Sequence, residues 1–175
     1  MKKILILGSS GAGKSTLAKK LKKILDIDII HLDQYYWKPN WIRSETEEWR
    51  NKVKELIKKD RWIMDGNYQS TLDIRLPEAD TIIFLNFSAP VCFFRALKRR
   101  FKHDRQDKLE ECKERITFEF AKWVLWDFPR KDRKDIINQL EILRGEKDVI
   151  ILKSSKEVEL FLVGVKNGKQ KIENL

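Results

Sequence analysis

A chain of 175 residues with 42% hydrophobic and 37% charged side chains is long enough for one α/β domain with a buried sheet and too short for two, and its apolar share excludes a disordered chain. The 37 Lys and Arg against 27 Asp and Glu leave a formal charge of +10, which attracts ATP, phosphorylated substrates and nucleic acid alike and selects none of them. Cys92 and Cys112 form no CxxC pair and have no His at ligand spacing, so neither a zinc site nor a disulfide framework is indicated and reduced thiols on helices are expected.

Met1-Lys2-Lys3 leads into Ile4-Leu5-Ile6-Leu7, which stops at Gly8. That run is too short for a signal-peptide core or a membrane span, so a cytoplasmic protein is expected. It reads as a strand buried on both faces of a parallel sheet. Over 15–25, Leu17, Leu21, Ile24 and Leu25 recur at helical spacing while Lys19, Lys20, Lys22 and Lys23 take the other face, which predicts an amphipathic crossover helix. A second strand is predicted over 28–32, and a second helix over 46–59 from Trp49, Val53, Leu56 and Ile57. Strands follow over 62–64 and 81–85, then a helix over 90–101 with proline in its first turn. The stretch 101–143 carries no strand signal; it predicts two helices, 110–125 and 133–143, with Pro129 as the breaker between them. The fifth strand is predicted over 149–152, and a basic frayed tail over 164–175. Alternating strands and helices predict a parallel sheet covered on both faces, a single domain over 1–163.

Gly8-Ser9-Ser10-Gly11-Ala12-Gly13-Lys14-Ser15 fits GxxxxGK[ST] at every fixed position, after a strand and at the opening of a helix. The glycines let successive backbone amides face one concavity, where those amides and the helix N-terminus through Thr16 hold phosphate oxygens. Lys14 is expected on the β- and γ-phosphates of ATP, and the Ser15 hydroxyl on Mg²⁺. The motif establishes nucleotide binding and leaves kinase, GTPase and ATPase open. A GTPase needs a guanine-reading tetrapeptide of NKxD type, which is absent, so kinase is the better reading. Asp65 closes an apolar strand, where a carboxylate can hold Mg²⁺ or form a turn with Gly66. Asp33 ends the second strand, at the sheet edge where open α/β sheets bind ligands, or caps the segment that follows. Arg95 and Arg99, four apart, share a helical face, and Arg130 and Arg133 lie where a closing charge for phosphoryl transfer is expected.

Beside the P-loop, His31-Leu32-Asp33 with Trp37-Lys38-Pro39, Trp62-Ile63-Met64-Asp65-Gly66-Asn67-Tyr68, the 95–100 segment and Lys153-Ser154-Ser155 make the chain resemble the adenylate kinase-like branch of small P-loop kinases, and more closely the bacterial topology modulation proteins. The resemblance covers nearly the whole chain. It implies a three-layer P-loop NTPase fold, a five-stranded parallel sheet in the order 2-3-1-4-5 flanked by helices, and a lid-like helical region over about 101–134. It also implies that Asp33 orients or deprotonates an acceptor hydroxyl, that Arg95 packs on adenine and that Arg99 approaches phosphate. His31 is read as a packed histidine.

The places where adenylate kinases carry arginines for the acceptor's monophosphate read Gln34-Tyr35-Tyr36 and Asn67-Tyr68-Gln69, without a cation. Arg43 and Arg75 are the nearby substitutes. A hydroxyl-bearing acceptor held by Asp33, Gly66, Asn67 and Tyr68, and covered by Trp37 and Trp41 around Pro39, is therefore expected in place of AMP. The other tryptophans lie at core spacing. The competing reading is an ATP-binding, nucleic-acid-associated protein influencing DNA topology; the basic balance permits it, and no helix-turn-helix, zinc finger or RNA-binding signature supports it.

Overall fold

Short continuous apolar runs satisfy both faces of a strand, and in the computed structural model, which describes residues 1–102 and 117–168, they pair into one parallel sheet. Its strands are β1 (Lys3–Gly8), β2 (Ile29–His31), β5 (Trp62–Asp65), β6 (Thr81–Leu85) and β7 (Asp148–Leu152), in the order β2-β5-β1-β6-β7. Counted among themselves the sheet strands run 2-3-1-4-5; the labels differ because a two-stranded antiparallel ribbon, β3 (Trp37–Lys38) and β4 (Ile42–Arg43), lies outside the sheet.

Successive side chains of a strand point to opposite faces, and β1 separates two cores on that rule. Leu5 and Leu7 pack with Trp49, Val53, Met64, Phe84 and Ile136 on one face, whereas Ile4 and Ile6 pack with Leu17, Leu21, Ile83 and Phe161 on the other. The first face is covered by α3 (Thr46–Leu56), α4 (Leu72–Glu78) and α8 (Asp132–Leu143), the second by α1 (Lys14–Leu25) and α9 (Ser155–Lys166). Helix α5 (Ala89–Lys102) follows β6 and buries Cys92 against the second core. Burial raises the Cys92 thiol above its ordinary pKa, which suits an inert packed cysteine. Among the described residues no helix is long and apolar enough to cross a membrane.

Three local expectations are corrected. Pro129 does not break the chain between helices: α6 (Phe118–Lys122), a π turn (Trp123–Asp127) and α7 (Phe128–Arg130) form one helical run that stops at Lys131. The π turn has already shifted the pairing, with the Phe128 N–H donating to Trp123 O, so Pro129 falls in a first turn where its missing N–H costs little. Helix α4 was not expected. Helix α9 was also not expected, and it continues to Lys166, past the frayed tail's predicted start. It is opened by a capping box in which Ser154 Oγ accepts from Glu157 N at 3.2 Å and the Glu157 carboxylate accepts from Lys153 N at 2.7 Å. Cys112, the predicted start of the 110–125 helix, the centre of the lid-like region and the end of the basic tail lie outside the described residues.

Candidate functional site

The turn joining β1 to α1 has its glycines where the backbone requires them. Gly11 and Gly13 sit at φ 80° and 99°, in the left-handed region. A Cβ on Gly11 would come within 2.0 Å of the Cys92 carbonyl oxygen, while one on Gly13 would meet nothing within 4 Å. Gly11 is therefore pinned against α5 and Gly13 lies at the open mouth. Lys14 Nζ spans that mouth, donating to Gly8 O at 3.0 Å and Ser9 O at 3.1 Å. Ser9 Oγ is buried beneath it with no hydrogen-bond partner. An open cradle of this kind fits a phosphate chain. Gly11→Ala is expected to destabilise the fold by about 1–3 kcal/mol through overpacking and to weaken ATP binding, checked by thermal melting and by titration with a fluorescent ATP analogue.

Asp65, 5% exposed, ends β5 beside β2, where it is the register partner of His31. His31 Nδ1 lies 2.8 Å from Asp65 Oδ1, so the histidine read as packing orients the carboxylate proposed for Mg²⁺. The signal was available: both residues occupy the C-terminal ends of strands that the sheet order makes neighbours.

After Asp65 the chain turns through Gly66 at φ 138° and Tyr68 at φ 24°. A Cβ on Gly66 would approach Leu32 Cβ to 2.9 Å. Asn67 Oδ1 accepts the Gly8 N–H at 2.9 Å, tying this loop to the P-loop. Arg75, expected to face the acceptor, is instead fully buried under the loop. Its guanidinium donates to Gly66 O (2.9 Å), Asn67 O (2.6 Å), Tyr68 O (2.9 Å), Thr71 O (3.3 Å) and Thr71 Oγ1 (3.2 Å). Burial pulls its pKa down to about 9, still charged at neutral pH, and five acceptors around one cation explain how it is tolerated there.

Tyr68 OH donates to Asp33 Oδ1 at 2.5 Å. Burial first, then the Asp33 charge, hold the phenol well above its usual pKa, so Tyr68 stays a proton donor. Asp33 opens the one-turn helix α2 (Asp33–Tyr36). On the other side of β1, Arg95 donates to Ser155 Oγ at 2.8 Å and lies 4.6 Å from the Phe87 ring centroid.

These groups open onto one cavity of about 1140 Å³. Of the expected site residues, Ser10, Gly11, Gly13, Lys14, Ser15, Thr16, Asp33, Trp37, Asp65, Gly66, Asn67, Tyr68, Arg95 and Arg99 line it. Gly8, Ser9 and Ala12 are buried and are not part of its lining. Arg43 also lines it, together with Asn40, Lys98, Glu119, Trp123 and Asp132, of which only Arg43 was anticipated as a site residue. Arg130 and Arg133 do not line it. The π turn directs Arg130 outward, where its guanidinium lies 3.1 Å from the Trp126 ring centroid, and Asp132, receiving the Trp123 indole N–H at 3.2 Å, takes the inward position. Five cations face four carboxylates across the lining. Among the described residues no three His, Cys, Asp or Glu side chains gather to hold a metal. The donor set, Ser15 and Asp65 with oxygens from a bound phosphate chain, fits Mg²⁺, which is commonly held by one or two protein groups together with substrate phosphates.

No family model matches the chain. It is 31% identical over 103 residues to "Uncharacterized protein YqaC" of Bacillus subtilis (strain 168), and that match spans 58% of each protein. Among solved structures it is similar to a shikimate kinase from Bacteroides thetaiotaomicron (TM-score 0.57, 17% identity, 96% of this chain and 98% of that one). It is also similar to a gluconokinase from Sinorhizobium meliloti 1021 (0.52, 15%, 96% and 91%). A deoxyadenosine kinase from M. mycoides matches at 0.52 with 17% identity over 95% and 99% of the two chains. The chain thus has a P-loop kinase-like fold: a five-stranded parallel sheet between helical layers, with the glycine-rich turn after its central strand.

Proposed function

We propose that the protein is an ATP-dependent phosphotransferase that moves the γ-phosphoryl group of Mg-ATP onto a small hydroxyl-bearing acceptor. The observation that carries this reading is the convergence of the P-loop, Asp33 and Asp65 on one cavity, with the acceptor-side groups in the segments that follow β2 and β5 and the basic face of α5 across β1. The solved kinases of similar fold support it.

In this reading the amides of residues 8–16 hold the phosphates, Lys14 sits on the β- and γ-phosphates, and Ser15 and Asp65 hold Mg²⁺, with His31 fixing the Asp65 carboxylate. Bound Mg²⁺ supplies charge neutralisation between the phosphates. Arg95 and Arg99 lie toward the nucleotide. Asp33, held by Tyr68, takes the proton of the acceptor hydroxyl as its oxygen bonds the γ-phosphorus and ADP leaves. Asn67 serves the site by joining the acceptor loop to Gly8, and Trp37 covers the acceptor.

The test is ATP consumption by the purified protein with Mg²⁺ and a panel of nucleosides, nucleoside monophosphates and small hydroxy acids. Acceptor-dependent ADP release is expected. Asp33→Asn is expected to lower kcat by about 10²-fold with the affinity for an ATP analogue retained. Equal turnover in that variant removes Asp33 from the proton step, and ADP release that ignores every acceptor removes the transferase reading.

A further inference from the structure

Strand β3, the turn Pro39–Trp41 and β4 add nothing to either hydrophobic core: neither Trp37 nor Trp41 belongs to the two clusters that flank the sheet. Both indoles are nonetheless half-buried and line the cavity. Their placement is held against a backbone cost. Asn40 and Trp41 sit at φ 60° and 62°, and a residue as bulky as tryptophan in the left-handed region is a strained exception. Strain of this kind persists where surrounding structure maintains it, and here it serves no packing of the core.

The two indoles start a continuous aromatic wall. Ring centroids step from Trp41 to Trp37 in 5.3 Å, from Trp37 to Tyr36 in 4.9 Å and from Tyr36 to Tyr68 in 4.5 Å, and Tyr68 ends on Asp33. Trp37, Trp41 and Tyr68 line the cavity together with Asp33, with Tyr36 joining them from the core side, so a flat ring lodged on the ribbon shares one cavity with the proton acceptor. The acceptor-side loops Gln34-Tyr35-Tyr36 and Asn67-Tyr68-Gln69 carry no cation for an acceptor's phosphate or carboxylate, Arg75 is buried beneath them, and Asp33 shares the lining with Arg43 of β4.

We propose that the Trp37–Trp41 ribbon is the ring-binding wall of the acceptor site, and that the acceptor is a neutral nucleoside, neither a nucleoside monophosphate nor a polyhydroxy acid. This rests on the phosphotransferase reading above. Stacking on aromatic side chains tolerates any base, because every base offers a π face, so the wall defines a class of acceptor and leaves the base to other contacts.

The experiment uses the full chain with Mg-ATP and three acceptor groups: adenosine, cytidine, deoxyadenosine, deoxycytidine and thymidine; AMP and CMP; and shikimate and gluconate. Nucleosides are expected to be phosphorylated with the highest kcat/KM. Trp41→Ala is expected to raise the nucleoside KM by about tenfold, the size of one lost base-aromatic stack, with kcat and the KM for ATP within about twofold. Trp41→Phe, which keeps a ring at the same strained position, is expected to recover most of that loss and so separates stacking from damage to the ribbon. Preferred transfer to a monophosphate or a hydroxy acid, or a nucleoside KM unmoved by Trp41→Ala, overturns the nucleoside assignment and leaves the transferase intact. Retained binding of a fluorescent ATP analogue with transfer to none of the three groups overturns both.

Discussion

Lys14→Ala is expected to lower phosphoryl transfer by about 10³-fold, the upper end of what removal of one fixed transition-state donor costs, while the melting temperature moves by less than about 2 °C. The asymmetry follows from where the side chain is anchored. Lys14 Nζ lies on Gly8 O and Ser9 O at the mouth of the P-loop, contacts that close the turn upon itself and support neither hydrophobic core. When a phosphate chain occupies the cradle, the same ammonium has anionic oxygens in place of carbonyls, and its effect is largest where charge builds on the transferred group. Single-turnover measurement of ADP formation, beside thermal melting, separates the two effects. A loss under tenfold would show that the cradle does not hold a reacting phosphate. The same variant tests the nucleic-acid reading: duplex binding carried by the basic surface falls steeply with salt and would be nearly indifferent to one lysine inside a cavity.

The parts of this arrangement that could be read from residues alone are those where one physical demand dominates. Ile4–Leu7 and Thr81–Leu85 are apolar without interruption because both faces of a central parallel strand are buried, and the P-loop is visible because glycine at φ 80° and 99° has no ready substitute. The ribbon at 37–43 escaped because its turn is built without glycine, from Asn40, which tolerates the left-handed region, and Trp41, a residue that rarely adopts it. Helix α4 escaped because it is seven residues long and contains Pro77, and its position is fixed by contacts distant in sequence, such as the Arg50–Asp73 ion pair to α3. The π turn at Trp123–Asp127, beyond which Arg130 lies outside the cavity and Asp132 in its lining, rests on shifted backbone pairing, and no periodicity announces it. Helix α9 is a different case: Ser154 and Glu157 at capping-box spacing precede its apolar positions, a local signal that was present and unused.

Arg75→Met is expected to destabilise the protein by about 3 kcal/mol or more, because methionine roughly fills the volume but leaves several buried carbonyl oxygens without donors, each at about 1–3 kcal/mol before relaxation. For a chain of this length that corresponds to a fall of roughly 6–12 °C in melting temperature. Loss of the buried charge offsets part of the cost, yet the three carbonyls at Gly66, Asn67 and Tyr68 point inward because Arg75 gathers them. Arg75→Lys provides the decisive comparison. An ammonium is compact and lacks the guanidinium's planar fork, so it can serve only part of the set; stability is expected between that of Arg75→Met and the parent, and the acceptor KM should rise while the KM for ATP holds. Had Arg75 been a direct ligand of an anionic acceptor, lysine would preserve the melting temperature and the charge, and the defect would vanish for neutral acceptors. Because Asn67 Oδ1 also holds the Gly8 amide, loosening the Arg75-bound loop should in addition reach the P-loop. The expected sign of that coupling is a modest loss of kcat in Arg75→Lys with the P-loop sequence untouched.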